Sequence, residues 1–197
     1  QLFKAGKVEW LQGTGQLLAD KQVEVTNRNG DKNTVTGQHI IIATGSLPIG
    51  LSSAPFTGDR IVDNAGALNW ETVPERLGVI GAGVIGLELG SVWRRLGAQV
   101  TILEAMDDFL TSADQQIAKT AKREFKKQGL DIRLGSRLNN TQINDNELVI
   151  EYSDAKGEHS ITVDRIIVAV GRRANANECI SPESGVELNE RGQIVVD

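Results

Sequence analysis

The run VIGAGVIGLELG, residues 79–90, sets four glycines and one carboxylate in an otherwise apolar stretch. A core helix does not select those glycines, and a loop does not select those aliphatics. The run is preceded by LGVIGA (77–82), which reads as a buried strand. It is followed by a helical pattern over 84–96, with Ile85, Leu89, Val92 and Leu96 as the apolar stripe and Gly97 as the terminating glycine. A strand that turns through glycines into a helix is the first unit of a parallel, nucleotide-binding sheet.

The rest of the central region repeats that alternation. AQVTILEA (98–105) reads as a second buried strand. SADQQIAKTAKREFKKQG (112–129) reads as a second helix, with Ser112 and Gln115 as a capping box, Ile117, Ala121 and Phe125 along one face, and Gly129 at its end. LDIRLG (130–135) is a third strand. Strand–helix–strand–helix–strand implies right-handed parallel crossovers. Beyond it, ELVIEYSD (147–154), a turn at AKGEH and SITVDRIIVAVG (160–171) carry antiparallel signals, and residues 185–197 resemble a hairpin around Glu190-Arg191-Gly192.

The N-terminal stretch differs. KVEWLQG (7–13) and KQVEVTN (21–27) read as strands, with Asn29-Gly30 as turn chemistry between strands. TGQHIIIATGS (36–46) reads as a strand buried on both faces, so residues 1–46 are expected to be strand-rich without a helix. Residues 47–59 hold two of the four prolines and read as a connection, and Asp63 is placed to cap a short helix at 63–68. The chain opens at Gln1 and closes at Asp197 after a strand-like run, which reads as a piece of something longer.

Each part of the loop Gly81-Ala82-Gly83-Val84-Ile85-Gly86 has a task. Gly81 permits the tight turn. Gly83 lacks the side chain that would hold a diphosphate away from main-chain N–H groups left unpaired at the helix start. Gly86 lets the helix pack closely on its strand. Glu104, ending the second strand, is placed to accept hydrogen bonds from the adenosine ribose. Glycine inside a helix costs roughly 1 kcal/mol relative to alanine, and Gly86 and Gly90 incur that cost twice. A 2′-phosphate needs a nearby cation, whereas Glu104, Met106, Asp107 and Asp108 follow the second strand, so the pattern favours NAD(H) over NADP(H).

Composition excludes several classes. The net charge of −5 without a basic cluster argues against nucleic acid, and no apolar run is long enough for a membrane helix. One cysteine, Cys179, cannot make an internal disulfide and points to a reducing, cytoplasmic setting. His39 and His159 are too few and too scattered for a metal cluster.

VIGAGVIGLELGSVWRRLGAQVTILEA, with ATGS (43–46) and AVGRR (169–173), resembles the flavoprotein disulfide reductases, and within that family is most similar to the dihydrolipoamide dehydrogenases. The resemblance implies an α/β fold: a Rossmann-like parallel sheet with an antiparallel β-meander, flanked by strands of an interrupted FAD domain. It assigns residues 1–46 to partial FAD-domain strands, 47–69 to a connection, 70–173 to an NAD-binding domain and 174–197 to a return segment. Gly81, Ala82, Gly83, Val84, Ile85, Gly86, Leu87 and Glu88 match the family's NAD loop. Glu104 matches its ribose ligand, Leu138 an aliphatic packed on adenine (or ordinary core), and Gly171 a contact near the nicotinamide. Gly15, Thr44, Gly45 and Ser46 match positions that touch FAD (Gly15 and Gly45 are otherwise ordinary turn glycines). Glu88 matches a glutamate near the flavin, paired with a lysine of the FAD domain; it is otherwise a dipole-favoured acid, and in this chain is expected to be unpaired or solvated.

The family moves electrons from a dihydrolipoyl group through a disulfide and FAD to NAD+, as a homodimer within 2-oxoacid dehydrogenase complexes. The paired cysteines and the histidine base have no counterpart here. The chain alone is therefore expected to bind NAD(H) but to be inactive. Alternatives are the NAD domain of a related reductase (a soluble transhydrogenase or mercuric reductase) or a stand-alone NAD-sensing module.

Overall fold

The computed structural model describes residues 2–145 and 147–197, and forms two compact units. Gln1, noted above as the opening residue, lies outside the described residues.

The first unit comprises residues 1–47 and 172–197. It begins with a short helix α1 (Leu2–Ala5), followed by strands β1 (Thr14–Leu17), β2 (Gln22–Thr26), β3 (Lys32–Thr36) and β4 (Ser46–Pro48). β1, β2 and β3 form an antiparallel meander, the Asn29-Gly30 turn joining β2 to β3. Three sequence expectations are corrected here, the first being that residues 1–46 hold no helix: α1 is one. Residues 7–13 are not a strand; pairing starts at Thr14, and a helix stands before it. The isoleucines 40–42 form no strand either, and Ile41 is exposed. A strand needs a hydrogen-bonding partner, and no described strand pairs with 37–45.

The second unit, residues 48–171, opens with β5 (Ile61–Val62) and α2 (Asn64–Leu68). Asp63 caps α2 by accepting from the Gly66 N–H at 2.8 Å. There follow β6 (Arg76–Ile80), α3 (Val84–Leu96), β7 (Gln99–Leu103), α4 (Gln115–Lys127) and β8 (Asp131–Arg133), then β9 (Arg137–Ile143), β10 (Leu148–Asp154), β11 (Gly157–Val163) and β12 (Arg165–Val168). The chain returns to the first unit with β13 (Arg172–Ala174), which pairs with β4. Residues 185–197 approach a hairpin with one bridge, Leu188 to Ile194.

The parallel sheet runs β5-β12-β6-β7-β8, and the antiparallel meander β11-β10-β9. Alternation along the central strands separates two cores. Leu77, Val79, Val100, Ile102 and Ile167 pack with the helix residues Leu87, Leu89 and Trp93. Ile80, Leu103, Ile166 and Val168 pack with Leu148, Ile150, Tyr152 and Val163 of the meander. The central strands are thus buried on both faces, as their largely apolar runs require. Full burial of each such aliphatic side chain contributes roughly 1.5–3 kcal/mol. Gly78 faces the meander: a Cβ there would stand 2.5 Å from Ile150 Cδ1. The region 160–171, read as one strand, is two. β11 pairs antiparallel with β10, and β12 pairs parallel with β6. The break is at Asp164, whose carboxylate accepts from the Arg76 main-chain N–H at 2.7 Å and from its guanidinium at 2.6 and 3.2 Å.

Helix α3 buries a face offset from the expected stripe: Leu89 is buried and Ile85 packs on the core, whereas the other two stripe residues do not. Gly86, Leu87, Leu89, Gly90 and Trp93 are buried, while Val92 and Leu96 are about half exposed. The glycines carry no hydrophobic side chain, yet they are what lets this helix approach the sheet. Gly97 ends it with φ +118°. In α4 the N-cap is Asp114, not Ser112: its carboxylate accepts from the Gln116 and Ile117 N–H groups. Ile117 is exposed and Ala118 buried, with Phe125 packed on the helix-side core.

Candidate dinucleotide site

The loop between β6 and α3 is built by three glycines with different surroundings. Gly81 has φ +102°, and a Cβ on it would stand 2.5 Å from the Ala169 carbonyl oxygen. Its N–H donates to Leu103 O at 2.8 Å, so the chain leaves β6 tied to β7. Gly86 is closed in the other direction: a Cβ would stand 2.0 Å from Gly81 O. Gly83 is open, with no atom within 4 Å of such a Cβ.

Gly83 is also the N-cap of α3, and among the described residues no side chain caps that end. The first-turn N–H groups have no partner inside the helix, and the helix end carries about half a positive charge. Gly83 and Val84 are exposed. A bare, open Cα beside uncapped amides is what a diphosphate requires, so the residues fit that group. Ala82 and Leu87 are buried and support the loop from below, while Ile85 packs against the helix-side core.

Glu104, one residue beyond β7, meets this loop. Its Oε2 accepts from the Ala82 N–H at 2.7 Å, and its Oε1 accepts from the Met106 N–H at 2.9 Å. An ionised carboxylate offers about four acceptor positions, so two stay available for sugar hydroxyls. The sequence pattern marks Glu104 as an expected ribose ligand; its contact with the loop is not legible there, because it joins residues far apart in the chain. Asp107 and Asp108 line a cavity of about 510 Å3 that Lys119 and Lys122 also line.

The other expected residues fall as follows. Leu138, on β9, is half-buried against the meander-side core that includes Leu103. Gly171 has φ +140°, and its carbonyl accepts from the Ile49 N–H at 3.0 Å. Glu88 is exposed, and no ion pair or hydrogen bond of its side chain is found among the described residues. All of these lie in the second unit.

Gly15, Thr44, Gly45 and Ser46 all lie in the first unit. Gly15 sits in β1 opposite Val25. Gly45 has φ +72° and open space at its Cα. The Thr44 and Gly45 carbonyls accept from the Asn175 side chain and main chain, at 3.1 Å each. Ser46 Oγ accepts from Arg172 Nε at 2.7 Å. Asn175 and Arg172 were not singled out from sequence; nothing local marks them as partners of residues far upstream.

His159 Nε2 lies 2.8 Å from Asp154 Oδ1 and its ring stacks on Tyr152. The Lys156 N–H and His159 hold the Asp154 carboxyl below its usual range. Arg133 donates to the Tyr152 hydroxyl and to Asp131. Cys179 is a free, half-buried thiol. Among the described residues there is no metal-competent cluster and no helix long and apolar enough to cross a membrane.

Comparison with known proteins adds family information. The family model described as pyridine nucleotide-disulphide oxidoreductase matches residues 2–197. A dihydrolipoyl dehydrogenase from Cupriavidus necator is 43% identical over 197 residues, which is all of this chain and 41% of that protein. The mitochondrial dihydrolipoyl dehydrogenase of Bos taurus is 38% identical over 200 residues, 100% of this chain and 39% of that one. The chain therefore spans about two fifths of the length of these relatives. The HOCl-induced flavoprotein disulfide reductase RclA from Escherichia coli, solved as a Cu(II) complex, superposes with a TM-score of 0.85 at 28% identity, over 96% of this chain and 42% of that one.

Proposed function

The chain belongs to the pyridine nucleotide-disulphide oxidoreductase family, and on that premise we propose that residues 70–173 are the NAD(H)-binding domain of a dihydrolipoyl dehydrogenase. Residues 1–46 and 174–197 then belong to its FAD domain, with 47–69 as the connection.

The observation that carries this reading is the pairing of an open Gly83 with a closed Gly86 at an uncapped helix start. Gly83 and the amides of Val84 and Ile85 hold the diphosphate. Glu104 accepts from the adenosine ribose, Leu138 packs on adenine, and the Gly171 backbone meets the nicotinamide end. Glu88 takes the place of the glutamate that follows the NAD loop in the family. Gly15, Thr44, Gly45 and Ser46 contribute to holding FAD.

Bound NAD+ supplies the hydride acceptor, and FAD the relay from the dithiol. These residues bind and orient. The redox disulfide and the base come from elsewhere in the whole enzyme, so the 197 residues alone bind coenzyme without turnover. The whole enzyme is a homodimer serving 2-oxoacid dehydrogenase complexes.

Calorimetric titration tests the reading. NADH is expected to bind in preference to NADPH. Equal affinity for the two would remove the role given to Glu104, and no heat with either would remove the site.

A further inference from the structure

We propose that Glu104 is a positioning residue for the glycine loop, setting the diphosphate cradle before any coenzyme arrives; this rests on the coenzyme reading above. A sugar ligand needs only to point its carboxylate at the sugar. Glu104 does more, because both of its oxygens are engaged by main-chain N–H groups, Ala82 at 2.7 Å and Met106 at 2.9 Å. Ala82 stands between the two glycines that shape the cradle. Its N–H therefore points back toward β7 while the amides beyond Gly83 are left for the anion.

The main chain of Glu104 extends the same function. Its N–H donates to Arg133 O at 2.9 Å, and its carbonyl accepts from the Ser136 N–H at 2.8 Å. Ser136 is buried and stands two residues before Leu138. One residue thus fixes the loop given to the diphosphate, the turn after β7 and the lead into the strand given to adenine. Replacing Glu104 to change coenzyme preference would then disturb the cradle as well as the sugar contact.

Electrostatics gives the two roles opposite signs. Removing a carboxylate beside an anion site relieves repulsion and strengthens diphosphate binding if Glu104 is a sugar ligand alone. If it positions the loop, removal weakens that binding although inorganic diphosphate has no ribose to contact. The test uses the full chain, with Glu104→Ala and Glu104→Gln. Glutamine keeps the size but has one acceptor oxygen, so it must release Ala82 or Met106.

Inorganic diphosphate affinity is expected to fall about tenfold in Glu104→Ala, the scale of a lost charge-assisted hydrogen bond. Without ligand, exchange of the Ala82 amide is expected to accelerate in Glu104→Ala, and that of Ala82 or Met106 in Glu104→Gln, with Val79 and Ile102 unchanged as a check on folding. Unaltered exchange at both amides, or diphosphate affinity that holds or rises, overturns the proposal. Failure of the unsubstituted chain to bind diphosphate and NADH overturns the coenzyme reading instead, and amide exchange still decides the loop contact.

Discussion

The Cα of Gly86 lies directly against the carbonyl oxygen of Gly81, so close that a methyl group on Gly86 would stand 2.0 Å from it. The oxygen is main chain and cannot rotate away. Alanine is the better helix former by about 1 kcal/mol, yet Gly86→Ala is expected to destabilise the protein by about 1–3 kcal/mol through overpacking. Urea unfolding measures it, with Gly83→Ala as the control. That position is open, so its change is expected to stay below about 1 kcal/mol, the scale of an altered N-cap.

Gly83→Val addresses binding instead of folding. Gly83 has φ −72° and ψ −179°, which valine adopts without strain. The far-ultraviolet dichroism is expected to be unchanged, while calorimetry loses the NADH signal. Full NADH affinity in this variant would mean that the diphosphate rests elsewhere.

A double substitution examines the contact between sheet and meander. Gly78→Ala is expected to cost about 1–3 kcal/mol, because its methyl would meet Ile150 Cδ1 at 2.5 Å inside a closed core. Ile150→Val deletes that atom. The pair is therefore expected to cost less than the sum of the single changes, with a coupling of about 0.5–3 kcal/mol. Strict additivity in chemical denaturation would show that the two do not touch in solution.

Acid stability should depend on Asp164. Burial pushes its carboxyl up, but the hydrogen bonds from the Arg76 side chain and main chain outweigh that and hold it below the usual range. A depressed carboxylate contributes stability that is fully present above the unfolded value, near pH 4. That contribution is lost as pH falls through the lower folded value. Asp164→Asn is expected to cost about 1–2 kcal/mol at pH 7, and the gap from the unsubstituted protein should narrow below pH 4. A gap that stays constant with pH would assign the effect to shape instead of charge.

The parallel sheet and its glycine loop were legible because their signals are local: a strand, a turn and a helix in one unbroken run. The helix face was misplaced because the stripe was traced through Val92 and Leu96, while Gly86 and Gly90 make the closest approach to the sheet without any apolar side chain. The isoleucines 40–42 misled for a related reason. Their composition fits a central strand, but strand formation also needs partners, which composition does not encode.

In the site, the spacing of Gly81, Gly83, Gly86 and Glu104 was readable. The reach of the Glu104 carboxylate to the Ala82 amide was not, since it depends on how two strands align. Asp164 hid the division between β11 and β12 for the same reason. An alternating run reads as one strand until its hydrogen-bonding neighbours change from antiparallel to parallel.

The last strand of the parallel sheet to be made lies inside it, between β5 and β6. Among the described residues, β5 pairs in that sheet with β12 alone. During synthesis, Ile61 and Val62 must therefore wait until Ile166 and Ile167 have left the ribosome. Until then the nascent sheet has a gap along one side of β6, and nascent-chain capture by a chaperone should end abruptly once that strand slots in.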